Sequence, residues 1–163
     1  MTVRPTLHLL CGKAGAGKST LADRLAATPG TISLSQDAWT ATLWPGELST
    51  IADYRDRAAR LDTAMRPHLV ALLRAGVSLV LDWPANTTIS RAWMRDLAAQ
   101  GDAACRLHWL DMSDDAAWSR CAARNAVGDH PYRMTRAQFD EITAYFEPPT
   151  QAEGLAIERY PPA

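Results

Sequence analysis

Cysteine is scarce in this 163-residue chain: Cys11, Cys105 and Cys121 are odd in number and spaced for neither a CxxC pair nor a metal cluster. A disulfide framework is therefore excluded as the source of the fold. Cys11 and Cys105 lie in apolar runs and read as buried thiols, which points to a reducing, cytoplasmic setting. An excess of charge is also missing. The formal net charge is −1, so no global positive field gathers nucleic acid, although a local basic groove stays open. No run approaches the roughly 20 apolar residues of a membrane span. The N-terminus carries one early Arg4 and an apolar stretch too short for the core of a signal peptide. Internal repeats and low-complexity tracts are absent too. What remains is an ordinary globular composition, 47% hydrophobic and 21% charged. The length suits one domain over 1–163 with a small lid.

Against that background one stretch stands out: Gly12-Lys13-Ala14-Gly15-Ala16-Gly17-Lys18-Ser19 fits G-x-x-x-x-G-K-[ST], the phosphate-cradling P-loop. Its glycines permit backbone conformations closed to other residues, so that N–H groups turn inward around a polyphosphate at the positive end of a helix. Lys18 places a point charge on the β/γ oxygens and the Ser19 hydroxyl ligates Mg²⁺. Context supports the motif. Thr6 to Cys11 reads as a buried strand, and Leu21, Ala22, Leu25 and Ala26 recur at helical spacing after it. Strand, glycine loop and helix follow in the order that binding of a nucleoside triphosphate requires.

Further along, Thr31 to Ser35 reads as a second strand, and Ser49 or Thr50 caps a long helix running to Ala75. Ile51, Tyr54, Ala58, Leu61, Met65, Leu69 and Leu72 trace the apolar stripe of that helix, and Pro67 inside it predicts a kink or a break into two. Val77 to Asp82 makes a third strand, Thr88 to Gln100 a helix, and Cys105 to Leu110 a fourth strand. Ser113 caps a helix to about Arg124, and Thr135 with Gln138 forms a capping box for the last one, to Phe146. Leu155 to Arg159 is a fifth, edge strand. Such alternation predicts an open parallel α/β sheet with helices on both faces, whose ligands bind beyond the carboxyl ends of the strands.

The polar candidates fall at those ends. Asp82 closes the apolar third strand and is expected to hold Mg²⁺ with Ser19, the other reading being a turn-forming Asp before Trp83-Pro84. Asp37 follows the second strand. It either caps the helix beginning at Ala38 or serves as general base, taking the proton of an acceptor hydroxyl. Arg120 and Arg124 share one helix face, suited to offset charge on a transferred phosphoryl group. The segment around 121–134, with Gly128, His130 and Pro131, has the character of a mobile lid, although no spacing singles out His130 or Arg133. Six tryptophans are many for the length. Trp93, Trp109 and Trp118 fall at core-facing positions, whereas Trp39, Trp44 and Trp83 either wall an acceptor pocket or floor the loops around the two aspartates. Asp53, Arg55, Arg57 and Arg60 read as solvated-face charges, one of them reaching the acceptor.

Leu9 to Thr20, Leu34 to Asp37, Leu79 to Asp82 and the Arg120/Arg124 pair together resemble the small P-loop kinases. That group takes in adenylate and gluconate kinases, chloramphenicol phosphotransferase, zeta toxins and polynucleotide kinase domains. The resemblance runs over about residues 6 to 147 and is nearest to the AAA_33-type ATP-binding proteins. It implies a three-layer P-loop NTPase fold with sheet order 2-3-1-4-5, and ATP (or GTP) with Mg²⁺ as donor. It also implies nucleotide contacts from Gly12 through Ser19 and Thr20, an acceptor-activating aspartate at Asp37, and arginines at Arg120 and Arg124 that cover the adenine and touch the phosphates. Leu81-Asp82-Trp83-Pro84 is similar to the adenylate kinase L-D-G-F-P-R-T pattern, but Ala85-Asn86 replaces its arginine, which counts against a nucleoside monophosphate acceptor. The expected activity is transfer of the γ-phosphate to a hydroxyl of a small molecule or, less favoured by the charge, of a nucleic-acid 5′ end. A nucleotide-binding ATPase or switch acting through a protein partner is the alternative.

Overall fold

A computed structural model of the chain describes residues 4–128 and 133–161. Its strands are β1 (Thr6–Cys11), β2 (Thr31–Ser35), β3 (Ser78–Pro84), β4 (Ala104–Leu110) and β5 (Ala156–Tyr160). Its helices are α1 (Lys18–Ala26), α2 (Gln36–Leu43), α3 (Ile51–Arg74), α4 (Thr88–Gln100), α5 (Asp114–Val127) and α6 (Arg136–Thr143), with a 3-10 turn at Gln151–Glu153. The strands form one all-parallel sheet in the order β2-β3-β1-β4-β5, as the resemblance implies.

β1 and β3 are central and read as near-continuous apolar runs because both faces are covered. The larger core packs Leu61, Leu69 and Leu73 of α3 and Met94 and Leu97 of α4 onto Leu7, Leu9, Leu79, Leu81 and Leu107. A smaller one sets Leu21 and Ala22 of α1 against Leu10 and Val80 on the other face. Phe139 of α6 packs on Ala117 of α5 and Met112.

Some boundaries differ from the sequence reading. Pro67 lies inside α3 without dividing it. Pro67 itself is exposed, and the buried run Leu69, Val70 and Leu73 just beyond it anchors the second half of the helix. α2 begins at Gln36, with Ser35 as its cap accepting from the Ala38 amide at 3.3 Å, so Asp37 sits in the first turn and is not the cap. α5 continues past Arg124 to Val127 and ends on Gly128, so 121–127 of the expected lid are helical; His130 and Pro131 lie outside the described residues.

β3 departs from regular pairing where it matters. Leu9 pairs with Leu81, but Leu10 pairs with Pro84, so Asp82 and Trp83 bulge out of the ladder with β1. The Ala85 amide then closes on the Leu10 carbonyl at 2.9 Å. Bulges of this kind re-aim side chains at strand ends.

The exit from β3 is braced by a charge that sequence reasoning did not anticipate. Arg91 of α4 is 0% exposed. It donates twice to Glu153, at 2.6 and 3.0 Å, and also to the carbonyls of Ala85 (3.1 Å) and Glu147 (3.0 Å). The bidentate pair holds the Glu153 carboxyl below its usual range. Glu153→Gln leaves the buried guanidinium without its counter-charge and is expected to cost about 3 kcal/mol, read as a lower urea midpoint.

On the α1 side of β4 and β5 a second polar chain runs from His8 Nδ1 to His108 Nε2 (2.9 Å) and from His108 Nδ1 to the Tyr160 hydroxyl (2.9 Å), which donates to Glu158. Burial, with the facing His108 adding to it, pushes His8 down to about 4. Burial lowers His108 as well. The unfolded chain takes up these protons near 6.5 and the folded one at lower pH, so stability falls as pH drops from about 6.5 to about 4. Urea titrations over that window should show a shallower pH dependence for His8→Gln/His108→Gln than for the natural chain.

Candidate active site

The loop between β1 and α1 has the geometry of an anion cradle. Gly17 occupies the N-cap at φ 97° and offers no side-chain cap, and the first turn of α1 carries no acidic residue. The leading amides of the helix are therefore left for a ligand. Gly15, at φ 80°, passes so close to α5 that a Cβ there would lie 2.4 Å from the Ala117 carbonyl oxygen. Only glycine fits that contact and that conformation together. Asn86 grips the start of the loop from the other side. Its Oδ1 accepts the Gly12 N–H at 2.9 Å and its Nδ2 donates to the Gly12 carbonyl at 3.0 Å.

Lys18 folds back over the loop and donates to the carbonyls of Gly12 (2.7 Å) and Lys13 (2.9 Å). Burial lowers its pKa, against the pull of Asp82 and Asp37, while Arg124 pushes it the same way as burial. All four groups thus share one electrostatic neighbourhood. Asp82 accepts a hydrogen bond from Ser19, yet burial still raises its carboxyl above the usual value. Asp37 accepts from the Tyr54 hydroxyl at 2.8 Å, and that hydroxyl also reaches Gln36 Oε1 at 3.1 Å. On α5, Arg124 keeps a buried Nε with no partner among the described residues and a weak contact from Nη2 to Cys121 Sγ at 3.7 Å. Lys13 turns the other way, to Asp114 and the Met112 carbonyl.

A cavity of about 1190 Å³ joins these groups. Lys13, Ala14, Gly15, Gly17, Lys18, Ser19, Thr20, Asp37, Asp82, Arg120 and Arg124 all line it, whereas Gly12 and Ala16 do not face it. The cavity continues past the strand tips between α3, α4 and α6, lined there by Tyr54, Asp62, Ser90, Trp93 and Thr143 among others. Single-ligand sites run to about 1,000 Å³, so the space accommodates more than one molecule.

Among the tryptophans, Trp39 is 41% exposed on α2 and Trp44 packs on the core; neither lines the cavity. Trp83 does, although only 1% exposed, and donates its indole N–H to Asp62 at 2.5 Å. Trp93, expected in the core, lines the cavity as well, and so does Arg133. Tyr54, read from sequence as part of an apolar stripe, brings its hydroxyl to Asp37. Asp62 went unnoticed in the sequence, and its only signal there is its position two helical turns after Tyr54. Burial raises its carboxyl despite hydrogen bonds from Trp83 and Gln36.

Asn86→Ala removes both contacts to Gly12 and leaves its amide without that partner. The expected result is a loss of about 1–3 kcal/mol in stability and weaker nucleotide affinity, measured by denaturant titration and by calorimetric titration of an ATP analogue.

No helix among the described residues is long and apolar enough to cross a membrane. No curated protein sequence matches the chain. Solved structures do. A Chloroflexus aurantiacus protein matches over 97% of this chain and 85% of its own at 20% identity and TM-score 0.76. A sugar kinase from a Janibacter species matches over 98% and 86% at 18% identity and TM-score 0.66. The Mycobacterium tuberculosis APS kinase, solved with AMPPNP and APS, matches over 98% and 89% at 18% identity and TM-score 0.64. At these identities the likeness speaks for the shared P-loop fold. The sequence profile AAA_33, described as an AAA domain, matches residues 7–149, and the chain belongs to that family.

Proposed function

We propose that the protein is a kinase that moves the γ-phosphate of ATP onto a hydroxyl of a small-molecule acceptor. The observation that carries this reading is a single cavity, large enough for two molecules, in which the P-loop, Lys18, Asp82, Asp37 and Arg124 meet. The kinases among the structural neighbours, one solved with a nucleotide and an acceptor, support it by their fold.

In this reading the loop amides and Lys18 bind the β- and γ-phosphates. Lys18 exchanges its two carbonyl partners for phosphate oxygens as the nucleotide enters. Ser19 and Asp82 would hold Mg²⁺: a hydroxyl and a carboxylate already paired with each other are hard oxygen donors, and one carboxylate plus substrate phosphates suits this ion. When bound, the ion offsets phosphate charge and orients the oxygens. The Tyr54 hydroxyl fixes the Asp37 carboxylate at the mouth of the acceptor space. Asp37 takes the proton of the acceptor hydroxyl as its oxygen bonds to the γ-phosphorus. The bond from that phosphorus to the bridging oxygen breaks, and ADP leaves with the electron pair. Arg120 and Arg124 line the same cavity and would offset the charge that spreads over the equatorial oxygens in a loose transition state.

Asp37→Asn tests the assignment. It keeps the side-chain shape and removes the base, so acceptor-dependent ADP release should fall at least about 100-fold with ATP affinity retained. A variant that turns over ATP as the natural chain does would favour instead a nucleotide switch acting through a protein partner.

A further inference from the structure

The acceptor side of the cavity holds a second carboxylate that this mechanism leaves unused. Asp62 lines the cavity from α3. Its Oδ1 takes two donors, Gln36 Nε2 at 3.0 Å and the Trp83 indole N–H at 2.5 Å, while Oδ2 takes none from the described residues. A carboxylate has about four lone-pair sites, so half of the accepting capacity of Asp62 is left for a molecule in the cavity. The two donors are themselves buried, at 4% and 1% exposure, and by holding Oδ1 they set the direction of the other oxygen.

Asp62 is also tied to the proposed base. Gln36 donates to Asp62, and the single proton of the Tyr54 hydroxyl lies between Asp37 Oδ1 (2.8 Å) and Gln36 Oε1 (3.1 Å). Asp37 and Asp62 are therefore parts of one hydrogen-bonded wall, and a molecule that offers a hydroxyl to the first meets the second with a neighbouring group. Trp93 and Met94 of α4 supply apolar surface to the same space. The α3 cation that borders it, Arg55, is exposed and stacked over the Tyr145 ring at 4.1 Å. An anionic substituent brought to Asp62 would meet like charge.

We propose that Asp62 selects the acceptor by accepting, through Oδ2, a hydrogen bond from a second O–H or N–H group next to the reacting hydroxyl, so that the acceptor is a small uncharged or cationic polyol or amino sugar. Phosphorylated and carboxylated compounds are excluded. This rests on the phosphotransfer reading above and adds to it the chemistry of the second substrate.

The test is ADP release from ATP·Mg²⁺ with hydroxyl compounds of three charge classes: hexoses and cyclitols, amino sugars, and hexose phosphates with aldonic acids and nucleoside monophosphates. The neutral and cationic classes should be phosphorylated and the anionic class should not. Asp62→Asn presents an N–H where the acceptor met a carboxylate oxygen, and should raise acceptor KM at least about 10-fold with ATP KM unmoved. Asp62→Glu should recover part of that loss. Far-ultraviolet circular dichroism and the urea midpoint report whether each variant keeps its fold, and in the natural chain the Trp83 indole N–H resonance should shift when the preferred acceptor binds. Preference for the anionic class, or an unchanged acceptor KM in Asp62→Asn, overturns the acceptor assignment and leaves the kinase reading standing. ATP turnover that no compound of any class accelerates overturns both.

Discussion

Everything in the site depends on how tightly the loop after β1 is clamped. Gly15 is wedged against the Ala117 carbonyl of α5, and Asn86 closes a two-bond amide pair with Gly12. These clamps come from opposite sides, one from the helix after β4 and one from the loop after β3. Neighbouring parallel strands deliver both, since β3 and β4 flank β1 in the sheet. A glycine-rich loop without such restraints would sample many conformations, and aligning its donors on binding would cost conformational entropy.

The clamp has its own support. The loop that carries Asn86 is held by Arg91, whose guanidinium joins the carbonyls of Ala85 and Glu147 to the Glu153 carboxylate. The Glu147 amide donates to the Asn86 carbonyl at 2.9 Å, and its carboxylate accepts from Thr88 at the start of α4. The chain near its C-terminal end thus stiffens a loop that grips residue 12. A desolvated arginine is an expensive way to stabilise a fold. Its value here is geometric: one planar fork joins two backbone carbonyls, from the loop after β3 and from the chain beyond α6, to the Glu153 carboxylate.

How much of this can be read from the sequence follows from how local each part is. The P-loop is contiguous, and strand ends reveal Asp82 and Asp37, so the donor half and the parallel α/β architecture were legible. Pro67 misleads because buried leucines beyond it outweigh one lost backbone hydrogen bond. Tyr54 misleads for another reason: its ring belongs to the apolar stripe of α3 while its hydroxyl serves Asp37, and periodicity registers only the ring. Arg91 runs against the expectation that arginine stays at the surface. Asp62 acquires meaning only from Gln36 and Trp83, which lie 26 and 21 residues away along the chain. Asn86 was visible as a departure from the adenylate kinase pattern, but its function as a brace on Gly12 required the bulge that brings β3 past Leu10.

Both signs of charge meet in the cavity: Asp82 and Asp37 pull on the same Lys18 that Arg124 opposes, and Arg55 of α3 borders the space as well. Lys18, Arg120 and Arg124 stand on the side of the P-loop and α5, where a triphosphate brings negative charge. Asp37 and Asp62 stand on the side of α2 and α3, tied together through Tyr54 and Gln36. With the net charge near zero, this arrangement is local and owes nothing to a global field. In the proposed reading, a polyphosphate bound by Lys18 and Arg124 leaves Asp37 and Asp62 to the second substrate. On that reading, discrimination between acceptors falls to these two carboxylates and not to the loop.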